Sequence, residues 1–209
     1  MVTIGYSKPY VALYNGSAGK DAYTGGMDLG GGVSYSDSIE VADDNDFYAD
    51  NRVDETESGV FTSGEATMAI NYLSAAAAKM ILGLTNQQEV STTQWDAYDD
   101  DATPPDVGYG HVKKVMDGGV VQYIAFVLPR IKFALPGESA ETQGESIDWQ
   151  TQELTATIMR SLNGKHPWRY VADTPFATED EAYAAVKAFL SQGAAAAAAS
   201  QTAQAGGGV

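Results

Sequence analysis

The chain has 209 residues, 44% hydrophobic and 10% aromatic, and its 28 acidic against 12 basic side chains give a formal net charge of −16. This length is enough for one sizeable hydrophobic core. The charge makes the chain a poor ligand for nucleic acid, because phosphate binding depends on Lys and Arg, but it does not exclude a protein that DNA passes without sticking. The absence of cysteine excludes disulfides and thiolate metal sites.

The N-terminal residues lack the basic and apolar run of a signal peptide. The longest strongly apolar run, Val120 to Leu128, is too short to span a bilayer. We therefore expect a soluble subunit that is made in the cytoplasm and does not enter a membrane.

The first half of the sequence predicts short strands and one helix. Residues 10–14, 33–41 and 65–70 alternate between apolar and polar side chains, which is typical of half-buried strands. Ser74 is a good helix N-cap, four alanines follow, and Gly83 is placed to end the helix after Leu82.

The segment from Asp43 to Gly59 is strongly acidic and nearly free of aliphatic side chains. It predicts a long exposed loop or a hairpin that reaches out from the body of the domain. Long segments of this kind within a compact domain are usually functional or disordered. Residues 96–106 form a second acidic stretch, broken by two prolines.

The second half of the sequence contains the clearest strand signal. Residues 109–116 and 120–128 flank Asp117-Gly118-Gly119, which predicts a β-hairpin. Residues 130–135 alternate again, so that Ile131, Phe133 and Leu135 are predicted to point inward. Further strand signals lie around Ile147 and Trp149 and over 154–158.

A second helix is predicted over 178–190, where Thr178 and Glu181 can form a capping box and Gly193 follows the last turn. Residues 194–209 are rich in Ala and Gly and have too little apolar bulk to build a core. We therefore predict one domain over 1–193 and a tail over 194–209. The fold class is mainly β with two helices (α+β), arranged as a sandwich or barrel that carries appendages.

No pattern of catalytic or metal-binding residues stands out. The acids at 43–46 do not fit an EF-hand loop, because no glycine follows at the sharp turn and no helices flank them. His111 and His166 are the only histidines, so surface or strand-packed roles are favoured over a metal site. Glu145 and Asp148 could line a hydrolase cleft, but a catalytic pair needs a pKa difference that the sequence does not reveal.

Several segments, taken in order, resemble the major tail proteins of siphophages from Gram-positive hosts. The resemblance covers about residues 3 to 190, and the Ala/Gly-rich end departs from it. No single segment is specific, but the ordered set is. The segments are Tyr48-Ala49-Asp50-Asn51, Glu65–Ile70, Leu73-Ser74, Ile81-Leu82-Gly83, Val107-Gly108-Tyr109-Gly110, Leu128-Pro129-Arg130-Ile131-Lys132-Phe133 and Thr142-Gln143-Gly144-Glu145-Ser146-Ile147-Asp148-Trp149-Gln150.

This resemblance implies a tail-tube β-sandwich or barrel with a flanking helix and long extensions. Its subunits would form hexameric rings, stacked into the conduit for DNA ejection in the virion tail. It implies no catalytic residues and no cofactor. The partners would be other copies of the chain, the tape-measure, tail-completion and distal tail proteins, and DNA that passes without sticking.

If the chain is such a subunit, its acidic segment is the first candidate for an inter-subunit contact, because buried aromatic side chains carry most interface energy. The predicted contact residues are Asp46, Phe47, Tyr48, Asp50, Asn51, Arg52 and Val53. The alternatives are a tube protein of a contractile injection or secretion system, a phage decoration or receptor-binding β-domain, and a hydrolase.

Overall fold

The computed structural model describes residues 1–17, 19–49, 51–57, 59–137 and 151–193. These residues are mainly in strands, with two helices, which confirms the predicted class. The elements in chain order are β1 (Val2–Tyr14), β2 (Tyr23–Asp28), β3 (Gly32–Val41), β4 (Asn45–Ala49), β5 (Arg52–Glu57), β6 (Phe61–Ile70), α1 (Ala75–Leu82), β7 (Gln87–Val90), β8 (Thr93–Asp96), β9 (Asp106–Asp117), β10 (Val120–Phe133), β11 (Gln152–Ile158), β12 (Tyr170–Val171) and α2 (Glu179–Phe189).

Eight strands form one antiparallel sheet in the order β2-β1-β9-β10-β11-β6-β3, with the short β12 paired to β10. The sheet curves so that its far strand returns to its start. Tyr35 of β3 stacks on Tyr6 of β1 with ring centroids 5.9 Å apart. The remaining strands form two separate hairpins, β4–β5 and β7–β8.

The inner face of the curved sheet carries the main core. Val107 and Tyr109 of β9 and Leu128 of β10 are fully buried there, together with Ile81 and Leu82 of α1. Helix α1 begins after Ser74, whose hydroxyl accepts from the Ala77 N–H, and ends at Gly83 with a left-handed φ of 68°. The predicted N-cap at Ser74 and the predicted end at Gly83 are both confirmed. Each cap satisfies backbone groups at a helix end that would otherwise lack partners.

A bulge in β1 decides which side chains reach this core. The register with β9 shifts between Ser7 and Tyr10, and Lys8 adopts a φ of 53°. Because a bulge adds one residue to one strand, the alternation of faces changes across it. Tyr6 and Val11 therefore both face inward, whereas Tyr10 faces the other side.

Helix α2 packs on the outer face of the sheet and buries Val186 and Leu190 against it. Its predicted capping box is present, with Thr178 and Glu181 each accepting from the other's backbone N–H. The helix comes close because β9 presents glycines there. A Cβ on Gly108 would lie 2.6 Å from Cδ2 of Leu190, and one on Gly110 would lie 2.6 Å from Cγ1 of Val186.

Gly110→Ala should therefore lower the free energy of unfolding by about 1–3 kcal/mol, because the added methyl group overpacks the contact with α2. Urea unfolding followed by circular dichroism measures the change. The double variant Gly110→Ala/Val186→Ala should lose less unfolding free energy than the sum of the two single losses, because shortening Val186 makes room for the added methyl group. Strict additivity of the two substitutions would contradict the close contact.

The prediction that Leu135 points inward is wrong, since its side chain is 65% exposed. β10 ends at Phe133, and Pro136 follows, so the alternation continues in the sequence after the strand has ended.

Residues 120–128 and 130–133, which the sequence suggested as separate strands, belong to one strand, β10. A register shift between Leu128 and Ile131 joins them around Pro129, which has no N–H to give to the ladder.

The predicted hairpin between β9 and β10 is confirmed. Gly118 and Gly119 turn the chain with φ angles of 56° and 86°, a conformation that favours glycine. The strand signals at Ile147 and Trp149, the pair Glu145 and Asp148, and the tail over 194–209 lie outside the described residues. In the described part of the chain, no helix has the length and apolar character needed to cross a membrane.

Candidate assembly surfaces

The acidic segment forms the hairpin β4–β5, a separate two-stranded sheet that lies in the chain between β3 and β6. Val41 pairs with Phe61, and the Ala42 N–H donates to the Val60 carbonyl at 2.9 Å. The β4–β5 pairing begins three residues further along each strand, where Asn45 lies opposite Glu57. At the base of the hairpin, Oδ1 of Asp44 accepts from the Gly59 N–H at 2.7 Å. Within the described residues the two strands pair only with each other.

The predicted contact residues follow this hairpin in register. Phe47 lies opposite Glu55 and Tyr48 opposite Val53 in the backbone pairing. Asp46 and Arg52 are exposed, on β4 and β5 respectively. Asn51 turns the chain with a φ of 60°, and Asp50 lies outside the described residues. The fold thus brings these residues to one hairpin; their role between subunits stays a prediction.

The second hairpin, β7–β8, was missed in the sequence. Its strands turn at Ser91, which has a φ of 60°, and leave Trp95 60% exposed, with Val90 and Tyr98 exposed beside it. The signal was weak because polar side chains dominate both strands and no glycine marks the turn.

Asp96 ties the β7–β8 hairpin to α1. Its Oδ1 atom lies 2.9 Å from the amide nitrogen of Gln87 and 2.9 Å from the ammonium of Lys79. The hydrogen bond from Gln87, followed by the contacts with Lys79, lowers the pKa of this carboxyl.

Among the described residues, the main sheet ends in two strands that pair on one side only, β2 and β3. Unpaired edges of this kind are places where another chain can add a strand. A group of exposed apolar side chains lies where β1, β9 and β10 meet near the hairpin turn. Val2 pairs with Met116 there, and Ile4 and Val120 are exposed nearby in the sequence.

A dense group of titratable side chains surrounds His111 on the inner face of β9. Its ring is 0% exposed and lies 4.4 Å from the ring centroid of Tyr35, 4.6 Å from that of Phe126 and 5.0 Å from that of Tyr6. Tyr6 and Tyr109 share a hydrogen bond of 2.9 Å between their hydroxyls. In the described part of the chain, neither ring nitrogen of His111 has a hydrogen-bond partner.

Burial controls the protonation of this group. Desolvation holds the pKa of His111 well below its usual value, and the charge of Lys113 adds to the effect. Desolvation also raises the pKa of Tyr6 to about 12 and raises that of Tyr35 and Tyr109 further. At neutral pH the histidine is therefore neutral and the tyrosines are protonated. The sequence predicted a surface or strand-packed histidine, and the structure shows the second case.

The described residues contain no group of three or more His, Asp or Glu side chains arranged to hold a metal ion. A scan against known protein-family models found no match, and a search of curated proteins found no similar sequence. The candidate sites therefore rest on the geometry above. The hairpins and the sheet edges are the surfaces that this geometry offers to other chains.

Proposed function

We propose that the chain is the structural subunit of a bacteriophage tail tube, closing into hexameric rings that stack into the conduit for DNA ejection. The observation that carries the proposal is a curved sheet whose outer strands, β2 and β3, each have one edge unpaired among the described residues, together with the β4–β5 hairpin, whose strands pair there only with each other. Strand edges and extensions of this kind suit a molecule whose main ligand is another copy of itself.

The resemblance of the sequence to siphophage major tail proteins supports the same proposal. The hexameric ring and the stacking of rings into a tube are inferred from this resemblance. The net charge of −16 is consistent with it. A channel lined by acidic and neutral polar side chains would not hold the DNA phosphates, whereas a lining of Lys and Arg would bind them and slow the passage. Repulsion from such a wall fades over roughly 8 Å at physiological salt, so the duplex would stay centred without being held far from the wall.

Electron microscopy of the concentrated protein in negative stain tests the proposal. Rings with six-fold symmetry, or tubes built from them, are the expected result. Sedimentation velocity over a range of concentrations should show a monomer giving way to hexamers and larger species. A trimer would favour a decoration or receptor-binding domain, and a monomer that persists at high concentration would overturn the proposal.

A further inference from the structure

Two cations converge on one aromatic ring beside His111. The ammonium of Lys113 lies 4.1 Å from the ring centroid of Phe126, and the guanidinium carbon of Arg169 lies 5.2 Å from the same centroid. The ring of Tyr35 lies 5.5 Å from that of Phe126. Lys113 follows Tyr109 and His111 on the inward-facing side of β9, so this group continues the core toward the β9–β10 turn.

Positive charges outnumber negative charges in this group, because Lys113 and Arg169 are accompanied by one carboxylate, that of Asp37. No carboxylate of the described residues forms a salt bridge with Lys113, although the chain has 28 acids. Among the described residues, the hydroxyl of Tyr35, both ring nitrogens of His111, Nε of Arg169 and Oδ2 of Asp37 also lack hydrogen-bond partners. The nearby carboxylate, Asp37, is engaged in an ion pair with Arg169.

A half-buried ammonium without a counter-charge is costly, because it has left water without gaining an ionic partner. The contact with Phe126 offsets part of this cost. Burial lowers the pKa of Lys113, and no carboxylate acts in the opposite direction. An anion beside Lys113 would restore the missing charge and could also accept from the Tyr35 hydroxyl.

We propose that Lys113, Arg169 and Tyr35 form a binding site for an oxyanion of the carboxylate or phosphate class. Charge-assisted hydrogen bonds from Lys and Arg to such groups are stronger than those between neutral groups. The anion could be free in solution, or it could be a carboxylate of a second copy of the chain. The second source rests on the proposed function, and the first does not.

Thermal unfolding in inorganic phosphate, compared with sodium chloride at equal ionic strength, tests the free anion. Lys113→Met removes the charge, Lys113→Arg keeps it, and Lys114→Met is the matched control, because Lys114 is exposed and lies next along the same strand. Wild type, Lys113→Arg and Lys114→Met should gain Tm saturably with phosphate, and Lys113→Met should not. Without phosphate, Lys113→Met should melt roughly 2–4 °C above wild type.

The second arm follows assembly of the same four proteins by sedimentation and electron microscopy. If a neighbour supplies the carboxylate, phosphate leaves the Tm of the monomer unchanged, Lys113→Met raises the concentration needed for assembly at least tenfold, and Lys114→Met does not. If neither arm separates Lys113→Met from Lys114→Met, the site is overturned and Lys113 makes only a cation–π contact. Assembly of the wild-type protein in the same runs tests the proposed tube separately. If the wild type does not assemble, the thermal unfolding in phosphate alone decides whether the anion site exists.

Discussion

Below pH 6.5 the wild-type protein should lose stability faster than the variant His111→Phe. The unfolded chain takes up a proton on this histidine near its ordinary pKa of 6.5, whereas the folded protein does not until a much lower pH. The stability is thus fully present above pH 6.5 and is lost as the pH falls from there toward the folded pKa. The histidine adds a slope that approaches about 1.4 kcal/mol per pH unit.

Denaturant unfolding from pH 8 to pH 4.5 measures this slope. Phenylalanine keeps an aromatic ring among Tyr35, Tyr109 and Phe126 but has no nitrogen to protonate. Both proteins keep Asp37 and every other carboxylate, so the difference between the two profiles belongs to His111. His166→Asn, which removes the exposed second histidine, should keep the wild-type profile. Parallel profiles for wild type and His111→Phe would contradict the buried neutral state.

Replacing residues 44–57 by an Asn-Gly turn should leave a folded subunit that no longer assembles. The hairpin β4–β5 pairs only with itself in the described structure, so the main sheet and its core remain complete. If Phe47 and Tyr48 anchor an interface, the double variant Phe47→Ser/Tyr48→Ser should also raise the concentration needed for assembly. A loss of about 2 kcal/mol at such an anchor corresponds to roughly 30-fold.

Lys165→Ser is the control for this experiment, because Lys165 is an exposed residue between β11 and β12 and is not among the predicted contact residues. It should assemble like wild type. Sedimentation velocity gives the assembly, and circular dichroism with thermal unfolding shows whether each subunit is folded. Normal tubes from the protein that lacks 44–57 would exclude this hairpin as an assembly contact without changing the description of the fold.

Features that depend on neighbouring residues in the sequence could be predicted. Ser74 and Gly83 bound α1, the pair Thr178 and Glu181 begins α2, and the Gly118 turn joins β9 to β10. Each signal acts within a few residues, because a cap or a turn satisfies backbone groups close to it in the chain.

Features set by distant pairing could not be predicted. The bulge at Lys8, the order of the strands and the neighbours of His111 all depend on β1 meeting β9 and on β3 curving back toward β1. The same limit explains the error at Leu135, since alternation continues in the sequence beyond the point where β10 loses its partner. The lack of partners around Lys113 also becomes visible only when β3, β9 and β10 are assembled.

The pairing of β1 with β9 also sets an order of events during synthesis. Val2 pairs with Met116 and Leu13 with Val107, so the partners are separated by about 100 residues. At roughly 5–20 residues per second, β1 leaves the ribosome on the order of 5–20 s before β9 exists. During that interval β3 and β6, which are close in sequence, can already pair. Until β9 has been synthesised, β1 has no β9 to pair with. The charge of Lys8 and the missing N–H of Pro9 then make β1 less able to pair with strands of other nascent chains.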